Sequence, residues 1–189
     1  IIEVASLLSF SALKNNDKVG LLIFTDTVEK FIPLNKGRNH VLRIIRELIE
    51  FEPKNTKTDI ANTLEYFNRI QSRGSVTFLI TDICSELPKK EIDITKKRHD
   101  FIVCLVNDML EYELPNLGGT LIMSDLENDD FVYFDMSNKI VKEKYLIEQN
   151  KIMEDKLNFL KKNSVERILL DTSSDYVNEI MKFFIKRIR

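Results

Sequence analysis

Several residue types are scarce in this chain of 189 residues, which has no tryptophan, two cysteines, two histidines, five glycines and four prolines. Cys84 and Cys104 are too few for a disulfide framework or for a zinc site of the usual spacing. Both adjoin apolar runs, so we expect them to be small buried hydrophobic residues in a reducing compartment. The glycines form neither a Walker-type loop nor a dinucleotide-binding fingerprint.

Long hydrophobic runs and an excess of one charge are also missing. No uncharged apolar run approaches the about 20 residues of a membrane span, and no signal-peptide pattern is visible. The 28 basic and 30 acidic residues give a net charge of -2, so no basic field points to nucleic acid. We expect no nucleic-acid partner, no membrane insertion in this segment and a cytoplasmic location, with membrane association only through a segment upstream of Ile1.

What the chain does have is an alternation of strand-like and helical patterns. Hydrophobic residues make up 43% and charged residues 31%, which is typical of a globular domain. Continuous apolar runs predict core strands at 19–24, 75–80, 101–106 and 167–170. Amphipathic patterns predict helices at 1–14, about 39–51, about 60–73, about 89–97, about 138–162 and from 174 onward. Two hairpins are predicted, at 19–34 and at about 118–137. The sequence therefore predicts one α/β domain over residues 1–189, with the second hairpin as an insertion.

Polar residues follow the predicted parallel strands, where ligands bind in open α/β sheets. Thr58 and Asp59 begin a helix, Asp82 follows the strand at 75–80, and Asp108 follows the strand at 101–106. Hydroxyl and carboxylate oxygens are ligands that Mg²⁺ accepts. Structural alternatives stay open: Thr58 as a helix N-cap, Asp82 as a turn residue capping the next helix, and Asp108 as a loop acid.

No catalytic set emerges from the nucleophiles and bases. His40 and His99 are far apart in sequence, and each is expected to serve packing or hydrogen bonding. Cys104 lies within a buried strand and is a poor nucleophile. The serines of the first helix lack the glycines of a nucleophile elbow. We therefore expect a protein that is not an enzyme.

Five segments occur in the order and spacing of a bacterial protein family. They are "NNDKVGLLIFTDTVEKFIPLNKGRNHVLRII", "TDIANTLEYF", "VTFLITDI", "KKRHDFIVCLVNDMLEYELPNLG" and "DLENDDFVYFD". Over almost its whole length the chain resembles domain-of-unknown-function family 58, whose body is similar to a von Willebrand factor A domain. The resemblance implies a Rossmann-like, three-layer α/β sandwich with helices on both faces of the sheet.

The resemblance also implies a metal-ion-dependent adhesion site at the strand tips, holding Mg²⁺ or Mn²⁺. Such a site uses an Asp-x-Ser-x-Ser loop after the first strand, a threonine from a second loop and an aspartate after the fourth strand. Thr58 matches the second element and Asp82 the third, and the first is expected upstream of Ile1. The central first strand, between the strands at 19–24 and 75–80, is then missing from residues 1–189, and no metal is expected on this chain alone.

The function that the resemblance implies is that of a non-enzymatic interaction module. Such proteins are usually encoded beside MoxR-like AAA+ ATPases, which implies a binding or assembly factor acting with that ATPase. In this hypothesis the metal binds a carboxylate of the partner protein. The alternative is a metal-dependent phosphoryl-transfer enzyme on a Rossmann-like sheet, with Asp82 and Asp108 as metal ligands.

Overall fold

In the computed structural model of the protein, helices flank three separate sheets, and residues 1–108, 120–124, 131–135 and 138–188 are described. The helices are α1 (Ile2–Lys14), α2 (Arg38–Ile49), α3 (Ile60–Ile70), α4 (Lys89–Arg98), α5 (Lys139–Lys162) and α6 (Tyr176–Ile188). The strands are β1 (Val19–Phe24), β2 (Val28–Asn35), β3 (Val76–Asp82), β4 (Asp100–Asn107), β5 (Thr120–Ser124), β6 (Phe131–Asp135) and β7 (Glu166–Asp171). None of these helices, within the described ranges, is long and apolar enough to cross a membrane. The predicted alternation of helix and strand is confirmed.

The central sheet has the order β3–β4–β7, and all its strands are parallel. Ile80 lies beside Cys104, which in turn lies beside Ile168. The chain passes from β3 to β4 through α4, as a parallel pair requires a crossover. The predicted parallel pairing of 75–80 with 101–106 is therefore confirmed.

The predicted first hairpin is also present, since β1 and β2 pair antiparallel. Pro33 lies where the register shifts between the pairs Leu21–Ile32 and Val19–Asn35, a position that tolerates a residue without an N–H. The expectation that residues 19–24 form a buried core strand is wrong, because Gly20 is exposed and the rest of β1 is only half-buried. The physical reason is that β1 pairs with β2 alone, in a two-stranded sheet of its own.

The second hairpin is described through its two strands, and β5 and β6 pair antiparallel as the sequence predicts. Residues 118–119, 125–130 and 136–137 of the predicted insertion lie outside the described residues. The division of residues 1–189 into one domain with a hairpin insertion at about 118–137 stays a prediction.

The core has two layers, one on each face of the central sheet. Successive residues of β4 point to opposite faces, so Phe101, Val103 and Leu105 pack with side chains of α3, α4 and α5. Ile102 and Cys104 pack with side chains of α1 and α6 on the other face. Cys104 is buried as predicted, and burial raises the pKa of its thiol to about 12.

The hairpin and the central sheet are neighbours that do not pair. The backbone N–H of Asp59, which precedes α3, donates to the carbonyl of Thr25 just after β1 at 2.9 Å. Because α3 leads back to the start of β3, β1 and β3 run in the same direction. An apolar cavity of about 60 Å³ lies between them and is lined by Leu22, Phe24 and Leu79 among others. No ladder joins β1 to β3, and this is the position at which the resemblance implies a further strand.

The amino ends of the strands are joined to the C-terminal helix by a charged cluster. The Arg187 guanidinium donates to both carboxylate oxygens of Asp100, at 2.6 and 2.7 Å, and its Nε lies 3.0 Å from a carboxylate oxygen of Glu166. Asp100 and Glu166 begin β4 and β7. The cluster therefore fixes α6 across the end of the sheet opposite to the candidate site.

His99 links the end of α4 to the segment before β3 as a buried, neutral imidazole. The residue is 4% exposed, its Nδ1 lies 3.0 Å from the Ser75 hydroxyl, and its ring lies 4.8 Å from that of Phe67. Burial lowers the pKa of His99, and the adjacent Arg98 guanidinium lowers it further. The packing expected for a lone histidine beside a strand is confirmed.

The depressed pKa of His99 predicts a loss of stability in acid. The unfolded chain binds a proton at His99 near pH 6.5, whereas the folded chain binds it only at lower pH. The free energy of unfolding should therefore fall by up to about 1.4 kcal/mol per pH unit as the pH drops from about 6.5 towards the folded-state pKa, and this contribution should be fully present above that range. His99→Phe should flatten this part of the profile in urea unfolding, and the control His40→Gln should not. An equal slope in wild type and His99→Phe would contradict the prediction.

Candidate functional site at the carboxyl ends of the strands

The loop before α3 ends at a helix cap that is not Thr58. The Asp59 carboxylate accepts a hydrogen bond from the backbone N–H of Asn62 at 2.9 Å, which makes Asp59 the N-cap. Of the two residues that the sequence offered as the cap, Thr58 is therefore the wrong one. Thr58 is exposed and immediately precedes the cap, beside the carboxyl end of β1.

The turn between β1 and β2 fixes this loop through side-chain hydrogen bonds. Thr25 Oγ1 donates to the Glu29 carboxylate at 2.7 Å, and the backbone N–H of Lys54 lies 3.1 Å from both oxygens of that carboxylate. Asn55 Nδ2 donates to Asp26 Oδ1 at 2.8 Å. The hydrogen bond from Thr25 lowers the pKa of Glu29, and those from the Lys54 and Asn55 backbone add to it, so its carboxylate stays charged near neutral pH. Asp26 in the turn and Glu29 at the start of β2 thus hold the loop against the hairpin.

Asp82 is the last residue of β3 and closes a turn in the loop that follows. Its Oδ1 accepts hydrogen bonds from both the backbone N–H and the hydroxyl of Ser85, each at 2.7 Å. The turn interpretation of Asp82 is confirmed. Its role as a cap of the next helix is wrong, because α4 begins only at Lys89, with Pro88 at the N-cap position.

Cys84 lies in the same turn and is exposed, so the expectation of a buried cysteine is wrong for this residue. The physical reason is that burial continues to alternate beyond the end of β3. Cys84 falls on the exposed side of this alternation, whereas Ile83, Ser85 and Leu87 are buried.

A lysine from a distant helix reaches this loop. Lys156, in the C-terminal half of α5, donates a hydrogen bond from its ammonium to the backbone carbonyl of Ser85. Burial lowers the pKa of Lys156, while the nearby side chains of Asp82, Cys84 and Glu86 act in the opposite direction. The β3–α4 loop is therefore held on one side by the Asp82 carboxylate, which accepts hydrogen bonds from Ser85, and on the other by the half-buried Lys156 ammonium.

Asp108 belongs to a different group of residues, at the ends of β4 and β7. Its Oδ1 accepts a hydrogen bond from Thr172 Oγ1 at 3.2 Å. The neighbouring Asp171 accepts from the backbone N–H of Ser173 at 2.8 Å and from its hydroxyl at 2.5 Å, and these bonds lower the pKa of Asp171. Asp108 thus joins the loop after β4 to the loop after β7.

The predicted site residues lie at the same edge without forming one cluster. Thr58 is beside the end of β1, Asp82 ends β3 and Asp108 follows β4. No hydrogen bond joins any two of them in the part of the chain that the structure describes. Those ranges also contain no group of three or more His, Cys, Asp or Glu side chains placed to hold a metal ion.

Sequence reasoning missed Lys156, Glu29 and Asp26. Asp26 carries a usable signal, because it follows the strand at 19–24 in a polar turn at the same sheet edge. Glu29 lies just beyond that turn, at the start of β2. Lys156 carries none, since it lies among alternating lysines and glutamates of a long helix, a pattern that indicates a solvated face.

Most of the chain matches one protein-family model. A family model described as "Protein of unknown function DUF58" matches residues 1–154. The chain belongs to the DUF58 family. The resemblance inferred from the five sequence segments is thereby confirmed. Lys156 and the rest of the C-terminal segment follow the part of this DUF58 chain that the family model covers.

A solved structure is similar in fold to this DUF58 chain. It is the crystal structure of the conserved hypothetical protein BatB from Bacteroides thetaiotaomicron, with a TM-score of 0.51 and 13% sequence identity. The similarity covers 98% of this chain and 87% of that one. At this identity the comparison shows the mixed α/β fold alone. A search of curated proteins gave no significant match.

The Asp82 turn predicts a measurable stability effect. Asp82→Ala removes the acceptor of two hydrogen bonds, and we expect it to lower the free energy of unfolding by about 1 kcal/mol. Asp17→Ala is the matched control, because it removes an exposed acid from the loop before β1 and changes the net charge by the same amount. Urea unfolding measures both variants. Equal stabilities of Asp82→Ala and Asp17→Ala would show that the turn contributes nothing.

Proposed function

We propose that this DUF58 chain is a non-enzymatic protein-interaction module whose contact surface is the strand-tip surface, defined by the loops 54–59 and 83–88. The partner that the family resemblance suggests is a MoxR-like AAA+ ATPase, for which the chain would act as an assembly or accessory factor. The role is binding, with no bond made or broken.

The observation that carries this proposal is that both loops of the strand-tip surface are fixed and present exposed side chains, throughout 54–59 and at Cys84 and Glu86 of 83–88. Asn55 is bonded to the β1–β2 turn, and Asp82 is bonded to Ser85 within its own loop. Loops held in one conformation lose little conformational entropy when they bind, which favours recognition of another protein. Binding residues are also concentrated on loops that a rigid scaffold positions.

A von Willebrand factor A-type arrangement is part of the proposal. It is supported by the parallel order β3–β4–β7, by helices packed on both faces of that sheet, and by the unpaired neighbours β1 and β3. In that fold a strand between β1 and β3 would join the two sheets. Thr58 and Asp82 would then lie at the tips of one continuous sheet.

The metal that the resemblance implies does not fit the described residues by themselves. Asp82 Oδ1 already accepts two hydrogen bonds, and the Lys156 ammonium is bound within the same loop. Two oxygen ligands, from Thr58 and Asp82, are also too few for Mg²⁺, which dehydrates reluctantly. Binding of Mg²⁺ or Mn²⁺ stays a proposal for a chain that carries further ligands upstream of Ile1. Calorimetric titration of such a chain, wild type against Asp82→Ala, tests it, and equal heats would refute the metal role of Asp82.

Binding measurements with variants at the two ends of the sheet test the interaction surface. Thr58→Arg places a long cationic side chain on the strand-tip surface, and we expect it to weaken binding to a MoxR-like ATPase about tenfold or more. Lys18→Glu is the control, because Lys18 is exposed at the opposite end of β1. Biolayer interferometry with the immobilised ATPase gives both affinities. Binding that Thr58→Arg leaves unchanged, or that Lys18→Glu weakens equally, would place the contact elsewhere.

A further inference from the structure

We propose that Lys156 is a positioning residue that supplies a built-in cation to the strand-tip surface, so that the β3–α4 loop is held in its binding conformation without a metal ion. The inference rests on the proposed function, because it concerns the same surface. It names a residue that neither the family resemblance nor the sequence pattern indicates.

The first step of the argument is the chain of contacts from α5 to Asp82. The Lys156 ammonium binds the carbonyl of Ser85, and the N–H and hydroxyl of Ser85 bind the Asp82 carboxylate. Ser85 is itself buried. Lys156 is therefore linked through one residue, Ser85, to the Asp82 carboxylate at the tip of β3.

The second step concerns charge. Two carboxylates of the loop, at Asp82 and Glu86, attract the ammonium. An ammonium that is partly removed from water has lost part of its hydration, and only hydrogen bonds and opposite charge compensate that loss. Lys156 thus brings a positive charge close to the two carboxylates of the loop and donates a hydrogen bond to the Ser85 carbonyl.

The third step is that Lys156 is fixed by a helix that is anchored in the core. Leu160, one turn further along α5, is 0% exposed and packs in the same cluster as Leu79 of β3. Residues four apart lie on one face of a helix, so the burial of Leu160 directs Lys156 towards the end of β3. The ammonium is therefore presented by a rigid element and is not a mobile surface charge.

Amide hydrogen exchange over residues 83–88 tests the proposal without a partner protein. Lys156→Met keeps the apolar stem and removes the charge, and we expect exchange at these amides to rise about tenfold. Lys156→Arg should keep the wild-type rate, because a guanidinium also donates to a carbonyl. Lys151→Met is the matched control, since Lys151 is exposed on the same helix, and it should leave the loop unchanged.

A side chain that donates a hydrogen bond without a charge distinguishes a required cation from a simple hydrogen-bond link. Lys156→Gln keeps an N–H donor and removes the charge, so we expect it to raise the exchange as Lys156→Met does. An unchanged rate in Lys156→Met, a raised rate in Lys156→Arg or a wild-type rate in Lys156→Gln would overturn the proposal. Because no ATPase is present, this result is independent of whether the strand-tip surface binds that partner.

Discussion

The structure depends on the parallel pairing of β4 with β3 on one side and β7 on the other. Ile102, Val103 and Cys104 in the middle of β4 are all 0% exposed, so both faces of the strand are covered by helices. A parallel strand buried in this way has every backbone group paired and every side chain removed from water, which makes it the most stable part of such a sheet. The positions of the strand ends follow from it. Asp82 and Asp108 lie at one edge because the strands that carry them are held in register by β4.

The two ends of this sheet carry different chemistry. At the amino ends, the Arg187 guanidinium neutralises Asp100 and Glu166 and ties the last helix to the sheet. At the carboxyl ends, carboxylates are satisfied mainly by backbone N–H groups and hydroxyls of their own loops, as at Asp82 and Asp171. Hydrogen bonds of this kind fix a loop without covering its exposed side chains. The first end is built for stability, and the second is suited to recognition.

Most of the fold follows from patterns in the sequence, and most of the site does not. Continuous apolar runs of strand length, separated by amphipathic segments, are sufficient to predict the parallel pairing of 75–80 with 101–106, because only a crossover connects such strands. The sequence does not decide between Thr58 and Asp59 as the helix cap, since both residue types are good caps. The choice depends on a tertiary contact, the hydrogen bond from the backbone N–H of Asp59 to the Thr25 carbonyl. The half-burial of β1 was also unpredictable. The apolar sequence of β1 indicates that its side chains favour burial. Their exposure in the folded chain depends on whether another strand pairs with the edge of β1.

Lys156 shows why a site assembled from distant segments escapes local patterns. In sequence it is one of many lysines on a long charged helix, 74 residues after Asp82 by numbering. Its environment is set by two independent facts of packing: Leu160 anchors α5 against the sheet, and the Asp82–Ser85 turn directs a carbonyl towards that helix. Each fact contributes to stability in its own right, and together they bring an ammonium to the carboxylate end of β3. A family model that matches residues 1–154 does not include this lysine. The charge balance of the strand tip in this chain therefore depends on the last two turns of α5, which follow the residues that the family model matches. A comparison of family motifs alone would describe Asp82 without Lys156.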